Sequence, residues 1–383
     1  MRITLVTHYF PAHRGGIELV AAELARHLAS RHGAEISWHA SDCDEPPSIP
    51  GVKAVPARSC NAVERRIGVP YPIWSPGALW RVARAARAAD AVHLHDCLYL
   101  PNLMTYAAAR LAKRPILVTQ HVGMIPYRSP VLRALLTMAY RVFGRVVLCG
   151  ASRVVFVSES VRRYFSGFVR FKAPPLLVAN GVDTSVFHPL DEERRTALRL
   201  QFGVKRDTPL LLFVGRFVEK KGLPALRQLA ERLPDARWAF AGWGPLDPER
   251  WALPNVTVFR DRSGAELAEL YQAADLLVLP SVGEGFPLVV QEAMACGTPA
   301  LVGSETAAGC PDAADVLPSE DTSGPDAIPR WEGRIRKLAT SADRSGFRAT
   351  VAAFAAANWS WERCSERYAE LFRDVTLQSD ARP

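Results

Sequence analysis

The chain has 383 residues, a length that predicts two domains, each large enough to bury a core of its own. Its content of 49% hydrophobic and 22% charged residues is typical of a soluble globular protein, and no apolar run is long enough for a membrane span. The net charge of +8 is uneven, since residues 1–175 hold 23 Lys+Arg against 10 Asp+Glu, whereas the remainder holds 24 against 29.

This charge distribution limits the classes of partner that the sequence predicts. The basic first half predicts contact with an anion, either an anionic membrane surface or a phosphate-bearing acceptor. Nucleic acid is not expected as a partner, because the arginines are not interleaved with stacking aromatic residues in a known module. The apolar N-terminal segment is too short for a signal peptide, and seven cysteines without a CxxC pair favour a reduced, cytoplasmic compartment.

The first half alternates short apolar runs with helical patterns. After a strand at 3–6, Gly15 and Gly16 precede a helix over 17–30. A Gly-Gly pair between strand and helix allows close approach to an anion, although a simple turn is the commoner interpretation. The remaining elements predict a mostly parallel, doubly wound α/β sheet: strands at 35–38, 52–55, 91–94, 115–119 and 151–157, with helices at 77–88 and 102–113.

Three polar groups in this half are candidates for chemistry. Asp42-Cys-Asp44 has the acid-x-acid form of some metal sites, but it lies in a Pro-rich loop and is interpreted as a solvated turn. His93-x-His95-Asp96 ends a strand and can be metal ligands, but no third site accompanies it, so these residues are expected to line a cleft or to pack against the following loop. His121 follows the strand at 115–119, where a side chain is expected to face a crevice.

Residues 127–149 combine apolar side chains with Arg128, Arg133, Arg141 and Arg145. Two interpretations remain open. The segment is either an interfacial helix that meets anionic lipid headgroups, or an amphipathic helix packed on its own domain with its arginines in water. The sequence slightly favours the second.

The second half repeats the strand–helix alternation after a Pro-rich linker at 170–175. A strong strand at 210–214 is followed by Gly215, Arg216 and Lys221. An arginine and a lysine five residues apart at a strand end form a cationic clamp that suits phosphate oxygens. The amphipathic segment 358–377 is expected to be a closing helix that packs back on the first domain.

The sharpest motif is Glu284-Gly-Phe-Pro-Leu-Val-Val-Gln-Glu292, between an apolar run at 275–279 and a strand at 300–302. A strand, a glycine-bearing loop and a helix opened by Pro287 leave free backbone N–H groups that stabilise an anion. The spacing places the Glu284 and Glu292 carboxylates on the order of 10 Å apart, which suits two hydroxyl-bearing groups on either side of a phosphate. A helix with two ordinary glutamates is an equal alternative on spacing alone.

These motifs resemble the retaining glycosyltransferases of the GT-B fold known as family 4, also called glycosyl transferases group 1. The resemblance covers nearly the whole chain and is sharpest between residues 210 and 301. It implies two doubly wound Rossmann-like domains facing each other across a cleft. Residues 1–175 would bind the acceptor, and residues 176–357 would bind a nucleotide-sugar.

The resemblance also implies roles for individual residues. Glu284 would contact sugar hydroxyls, Glu292 the ribose, and Arg216 with Lys221 the diphosphate, whereas His121 would hydrogen-bond to the donor sugar or its leaving phosphate. The implied catalytic set is His121, Glu284, Arg216 and Lys221. The implied donor-binding set also includes Gly15, Gly16, Gly215, Arg262, Gly285, Phe286, Pro287, Leu288 and Glu292. Two departures from the family pattern are the sequence after the strand at 256–259 and Ser304-Glu305 in place of a glycine pair.

The implied activity is that of a metal-independent, retaining hexosyltransferase without a cofactor. It would move a sugar from a nucleotide-diphosphate sugar to a glycan or lipid-linked acceptor in envelope polysaccharide or lipopolysaccharide synthesis. Two rivals remain. A GT-B epimerase or phosphorylase would use the same phosphate clamp, and a non-catalytic sugar-nucleotide-binding module would need no reacting groups.

Overall fold

The computed structural model describes residues 1–13, 15–67, 69–123, 129–283, 285–340 and 344–380. It divides into two compact units, one formed by Met1–Gly181 with Trp361–Pro383 and the other by Val182–Ser360. Within the described ranges, no helix is both long and apolar enough to cross a bilayer.

The first unit contains a seven-stranded parallel sheet with the order β3-β2-β1-β6-β7-β8-β9. Its strands are β1 Arg2–Val6, β2 Glu35–Ser41, β3 Val52–Ala57, β6 Ala91–His95, β7 Ile116–Gln120, β8 Arg153–Phe156 and β9 Leu176–Leu177, and β4 Ser59–Cys60 pairs separately with β5 Ile73–Trp74. Its helices before residue 181 are α1 Gly16–His32, α2 Ala62–Ile67, α3 Pro76–Ala88, α4 Leu100–Leu111, α5 Pro130–Ala139, α6 Arg145–Gly150 and α7 Glu159–Ser166.

The second unit contains a six-stranded parallel sheet with the order β12-β11-β10-β13-β14-β15. Its strands are β10 Leu210–Val214, β11 Arg237–Ala241, β12 Val256–Phe259, β13 Leu276–Leu279, β14 Ala300–Gly303 and β15 Ser319–Glu320. Its helices are α8 Glu192–Gln201, α9 Leu223–Arg232, α10 Gly264–Ala273, α11 Leu288–Ala295, α12 Ser304–Ala307, α13 Ala327–Ala339 and α14 Arg344–Trp359.

The central strands are buried on both faces, which explains why they are near-continuous apolar runs. Every residue of β7, β10 and β13 is buried. The helices begin where the sequence supplies caps: Ser75 accepts a hydrogen bond from the Ala78 amide at the start of α3, and Asp191 accepts one from Arg194 at α8. The predicted doubly wound α/β class is confirmed for both units.

The chain returns to the first unit through α15 Trp361–Asp380, which packs against α1. The first unit extends to Gly181, past the predicted boundary at 175, because β9 pairs with β8 in the first sheet. The closing helix begins at Trp361, three residues after the predicted start at 358.

Both sheets reverse their strand order at one point. In the first sheet the reversal lies between β1 and β6, and in the second it lies between β10 and β13. Successive connections leave such a pair toward opposite faces of the sheet, so a crevice opens beyond the carboxyl ends of the two strands. The predicted glycine loops after β1, β10 and β13 therefore lie at the two places where α/β sheets bind ligands.

A buried ion cluster fixes the second sheet to α8. Asp275 accepts hydrogen bonds from the Arg195 and Arg199 guanidiniums at 2.6 and 2.9 Å, and from the Leu210 amide at 2.8 Å. Burial alone would raise the pKa of Asp275, but the two guanidiniums and the amide lower it below its ordinary value. Asp275 thus joins α8 to the starts of β10 and β13.

We expect Asp275→Asn to reduce the free energy of unfolding by about 3 kcal/mol, because it leaves two buried guanidiniums without a counter-charge. The contribution of Asp275 is complete above the ordinary carboxyl pKa of about 4, and it is lost as the pH falls below that value. Chemical denaturation at pH 7 and at pH 3 measures both effects. The exposed Asp207→Asn is the control, and equal effects of the two substitutions would contradict the prediction.

Candidate functional site

In the second unit, the loops after β10 and β13 are joined to each other. The Val282 amide donates to the Lys220 carbonyl at 3.0 Å. The Gly283 amide donates to Glu305 Oε2 at 3.1 Å, so the first turn of α12 also supports the β13 loop. Glu284 lies outside the described residues. The structure thus brings the predicted cationic loop and the loop that leads to Glu284 to the same end of adjacent strands.

The cationic loop is supported from its other side by the loop after β11. The Phe217 amide donates to the Trp243 carbonyl at 2.7 Å, and the exposed Arg216 guanidinium lies 4.7 Å from the centre of the Trp243 ring. Gly242 permits this approach, because a Cβ there would collide with the Gly215 carbonyl oxygen. The Trp243 ring therefore restrains the Arg216 guanidinium on one side. The guanidinium stays exposed and can still contact an anion.

Lys221 follows in a single turn of 3-10 helix, Glu219–Lys221, and its side chain lies beside Gly215. A Cβ built on Gly215 would contact the Lys221 methylenes at 3.9–4.0 Å. The predicted clamp of Arg216 and Lys221 is therefore one compact loop at the end of β10. Two cations held there by a rigid strand suit a ligand with several anionic oxygens.

Glu292 lies in the second turn of α11 and accepts a hydrogen bond from the Tyr271 hydroxyl at 2.8 Å. Burial raises the pKa of Glu292 to about 7, and the tyrosine hydrogen bond opposes this rise. Tyr271 is itself fully buried, on α10. The second acid of the motif is thus held in one orientation by a residue that the sequence did not single out.

The turn before α11 contains the other predicted residues of this motif. Gly285, Pro287 and Leu288 are partly exposed, with Pro287 as the capping residue of α11. Phe286 is buried and packs against Trp359 at a ring-centroid distance of 5.3 Å. The Phe286 side chain therefore anchors the turn, and only its backbone remains for ligand contact.

Arg262 is placed differently from the clamp. It lies after β12, on the far side of β11 from β10, and its guanidinium forms an ion pair with Glu266 at 3.2 Å. Both side chains are largely exposed. The structure does not join Arg262 to the loops after β10 and β13.

In the first unit, Gly15 caps α1 and Gly16 is its first residue. The Glu18 carboxylate folds back over this turn to the position that a Cβ on Gly15 would occupy. Glu18 Oε1 lies 3.0 Å from His8 Nε2, and both side chains are only 3% exposed. Burial raises the pKa of Glu18 to about 7 and lowers that of His8 to about 3.

His121 is joined to the neighbouring strand β6. A hydrogen bond of 2.8 Å links His121 Nε2 to His95 Nδ1, and the Asp96 carboxylate accepts from the His121 amide at 2.9 Å. Asp96 also accepts from the Val122 amide at 3.3 Å. His95 and Asp96 thus fix the loop that carries His121, after the neighbouring strand β7.

Asp42 and Asp44 have separate partners. Asp42 accepts from the Ser59 amide and hydroxyl, whereas Asp44 pairs with His13 at 2.9 Å, and His13 also contacts Glu64 at 3.1 Å. Asp42 is exposed as predicted for a solvated turn, whereas Asp44 is only partly exposed because it contacts His13. Among the described residues, no group of three or more His, Cys, Asp or Glu side chains is arranged to hold a metal ion.

The supporting roles of five residues escaped the sequence analysis: Glu18, Asp96, Trp243, Tyr271 and Glu305. Each acts on a residue that is distant in the chain or on the opposite side of a loop. A tyrosine near the end of a helix carries no sequence signal for a bond to a glutamate 21 residues later. Trp243 was the one available hint, because it lies between two glycines at a strand end.

Five of the buried histidines make the first unit sensitive to acid. Burial lowers the pKa of His8, His93 and His121 to about 3, that of His39 to about 4, and that of His95 well below its ordinary value. They stabilise the fold when neutral, and this stability is lost as the pH falls below about 6.5. Burial raises the pKa of Glu18 and of Asp96 to about 7, so these two carboxyls stabilise the fold as the pH falls. They only partly offset the histidines, because there are fewer of them.

We expect the unfolding free energy to fall between pH 6.5 and pH 5, with each buried histidine contributing about 1.4 kcal/mol per pH unit. His121→Gln should flatten this dependence by that amount, as measured by denaturation at several pH values. The exposed His188→Gln should leave the slope unchanged. An unaltered slope in His121→Gln would contradict the prediction.

Known proteins share the sequence pattern and the fold of this chain. Residues 14–186 match the family model described as Glycosyltransferase Family 4, and residues 208–322 match Glycosyl transferases group 1. A D-inositol 3-phosphate glycosyltransferase from Xylanimonas cellulosilytica is 30% identical over 411 aligned residues, which cover 96% of this chain and 94% of that protein.

Two solved structures share the fold. Sucrose-phosphate synthase from Thermosynechococcus elongatus is 20% identical with a TM-score of 0.76, covering 99% of this chain and 100% of that one. Anabaena HepE in complex with UDP and glucose is 17% identical with a TM-score of 0.71, covering 98% and 100%. Two parallel-sheet Rossmann-like units, the Glu292 motif and the Arg216–Lys221 loop thus coincide with full-length similarity, and the chain belongs to the GT-B glycosyltransferases of family 4.

Proposed function

We propose that this glycosyltransferase transfers a hexose from a nucleoside-diphosphate sugar to an acceptor hydroxyl with retention of the anomeric configuration. The observation that carries the proposal is the meeting of the Arg216–Lys221 loop and the loop before α11 at the strand-order reversal between β10 and β13. Cations from one loop and helix N–H groups from the other converge where a diphosphate can bind.

In this proposal the donor binds with its diphosphate against Arg216, Lys221 and the start of α11. Negative charge grows on the leaving diphosphate as the glycosidic bond breaks through an oxocarbenium-like transition state. The guanidinium and the ammonium stabilise that charge, so the reaction needs no metal and no cofactor. Gly215 and the backbone of Gly285–Leu288 complete this donor-binding surface.

We assign hydroxyl recognition to the two acids. Glu292 accepts from the ribose hydroxyls when ionised, and Glu284 is proposed to bind the hydroxyls of the sugar. Arg262 is proposed to meet the base side of the nucleotide, although in this structure its guanidinium pairs with Glu266. In the first unit, His121 is proposed to hydrogen-bond to the donor sugar or its leaving phosphate. Its partners favour this role, because His95 bonds the ring and Asp96 fixes the backbone that carries it.

We propose a phosphate-bearing acceptor in the cytoplasm. Two sources share this chemistry: a phosphorylated polyol, as named for the D-inositol 3-phosphate glycosyltransferases, or a lipid-linked glycan of the cell envelope. The balance of +13 in residues 1–175 favours either. Transfer assays with UDP-, GDP- and ADP-sugars against inositol phosphate and against lipid-linked glycans separate the two.

We expect Lys221→Met to lower the transfer rate by about 10²–10³-fold, since it removes a charge that stabilises the leaving diphosphate. The adjacent Lys220→Met is the matched control, because Lys220 is exposed on the same turn, and its rate should stay within about twofold of wild type. Equal losses in the two variants would argue against the clamp.

The same assays separate the rival functions. Consumption of the sugar nucleotide without any acceptor would indicate an epimerase, and donor binding without turnover would indicate a non-catalytic module.

Tyr271→Phe should raise the KM for the donor about tenfold with a smaller change in kcat, because Glu292 loses a hydrogen bond that favours its ionised form. The defect should shrink as the pH rises above 7, where the carboxyl ionises without help. Initial-rate kinetics from pH 6 to pH 8.5 test this. Tyr368→Phe, which removes a buried hydroxyl bonded to Thr119 in the first unit, is the control. A defect that is constant with pH would refute the positioning role.

A further inference from the structure

The segment from Pro130 to Gly150 is helical throughout, since a π-helical turn, Tyr140–Gly144, joins α5 to α6. Its inner side contributes Tyr140, Val147 and Leu148 to the core of the first unit. Its outer side carries six large apolar side chains that are 51–76% exposed, here called the α5–α6 stripe: Val131, Leu135, Met138, Val142, Phe143 and Val146.

The spacing makes the stripe continuous. Val131, Leu135, Met138, Val142 and Val146 follow one another at intervals of three or four residues, which places them on one side of a helix. Isolated exposed apolar residues are common on protein surfaces, but a contiguous row marks an interaction site. The helix packs on its own domain through its inner side and its arginines are exposed, as the sequence slightly favoured, but that interpretation does not account for the exposed stripe.

The surroundings of the stripe are positively charged. Arg133, Arg141 and Arg145 are exposed on the same helical segment. Between Glu64 and Glu159 the chain carries thirteen Lys and Arg residues but only two acids, Asp90 and Asp96. Asp90 pairs with Arg2, and Asp96 is buried beneath the His121 loop. The stripe is thus flanked by cations, and neither intervening acid is available to neutralise them.

Neighbouring helices also expose apolar side chains. The Tyr106 hydroxyl on α4 donates to the Val146 carbonyl at 3.0 Å, which ties α4 to α6. Helix α4 also exposes Met104 and Leu111, and α3, which packs against α4, exposes Trp80 with the Arg84 guanidinium over its ring. Exposed aromatic, aliphatic and arginine side chains thus occur on α3, α4 and α6.

We propose that the α5–α6 stripe docks on an anionic lipid bilayer, with the apolar side chains inserted at the acyl boundary and the arginines among the headgroup phosphates. A bilayer surface offers this combination, because negative charge lies immediately above hydrocarbon. A second copy of the chain would bring the same cationic surface against itself and repel it. The proposal concerns the outer surface of the first unit and stands independently of the transfer reaction.

Cosedimentation with lipid vesicles tests the proposal on the full chain. We expect binding to phosphatidylcholine vesicles that contain about 30% phosphatidylglycerol, weaker binding without it, and loss of binding as salt rises from about 50 to about 500 mM. Arg141→Gln/Arg145→Gln should weaken binding about 25-fold, at about fivefold per arginine. Leu135→Glu/Val142→Glu should weaken it at least tenfold, because charged side chains cannot enter the acyl region.

Matched controls lie in the second unit. Leu200→Glu alters a side chain that is 64% exposed, and Lys205→Gln/Arg206→Gln removes two exposed adjacent cations; both should bind vesicles as the wild type does. Unchanged thermal unfolding of every variant establishes that the fold is intact. The proposal is overturned by equal binding to neutral and anionic vesicles or by stripe variants that bind normally. It is also overturned if sedimentation velocity shows a dimer that the Leu135→Glu/Val142→Glu variant dissociates and vesicles are not bound.

Discussion

The reversal of strand order within each parallel sheet is the constraint on which the rest of this structure depends. Between β1 and β6, and again between β10 and β13, consecutive connections leave toward opposite faces, so the strand ends are not covered by a crossing helix. The loops with glycine, arginine, lysine and glutamate follow these strands. The order of the strands therefore brings these loops together, and each loop needs only contacts with neighbouring residues to keep its conformation.

Those contacts are mostly buried hydrogen bonds to charged or titratable groups. Asp96 holds the His121 loop through two amides, Tyr271 holds Glu292, and Glu305 holds Gly283. A buried polar group is costly unless it is hydrogen-bonded, and once bonded it fixes geometry more sharply than apolar packing does. Both units are thus built in the same way. Packing of the apolar sheet stabilises the fold, and a few hydrogen-bonded polar groups at the carboxyl ends of the strands fix the conformation of the loops.

The protein presents positive charge in two different forms. Arg216 and Lys221 are held on a short loop after a rigid strand, with Arg216 backed by the Trp243 ring, so their charges have defined positions. Arg133, Arg141 and Arg145 are instead exposed among apolar side chains on the helical segment 130–150. Cations with fixed positions suit one small anion in one orientation. Exposed arginines on a helix suit an extended and fluid surface.

The sequence alone determined the alternation of strands and helices, the family, and the positions of the Arg216–Lys221 loop and of the acid motif that ends at Glu292. These are local patterns. The period of the apolar residues, the positions of glycine and proline and the spacing within a motif can all be recognised in a window of about ten residues. Tertiary structure alone decided that Tyr271 bonds Glu292, that Asp44 pairs with His13 and that Arg262 turns toward Glu266. It also decided that the apolar side of the 130–150 helix is exposed. Periodicity shows that a helix has an apolar face, but whether another element covers that face depends on how the chain packs in three dimensions.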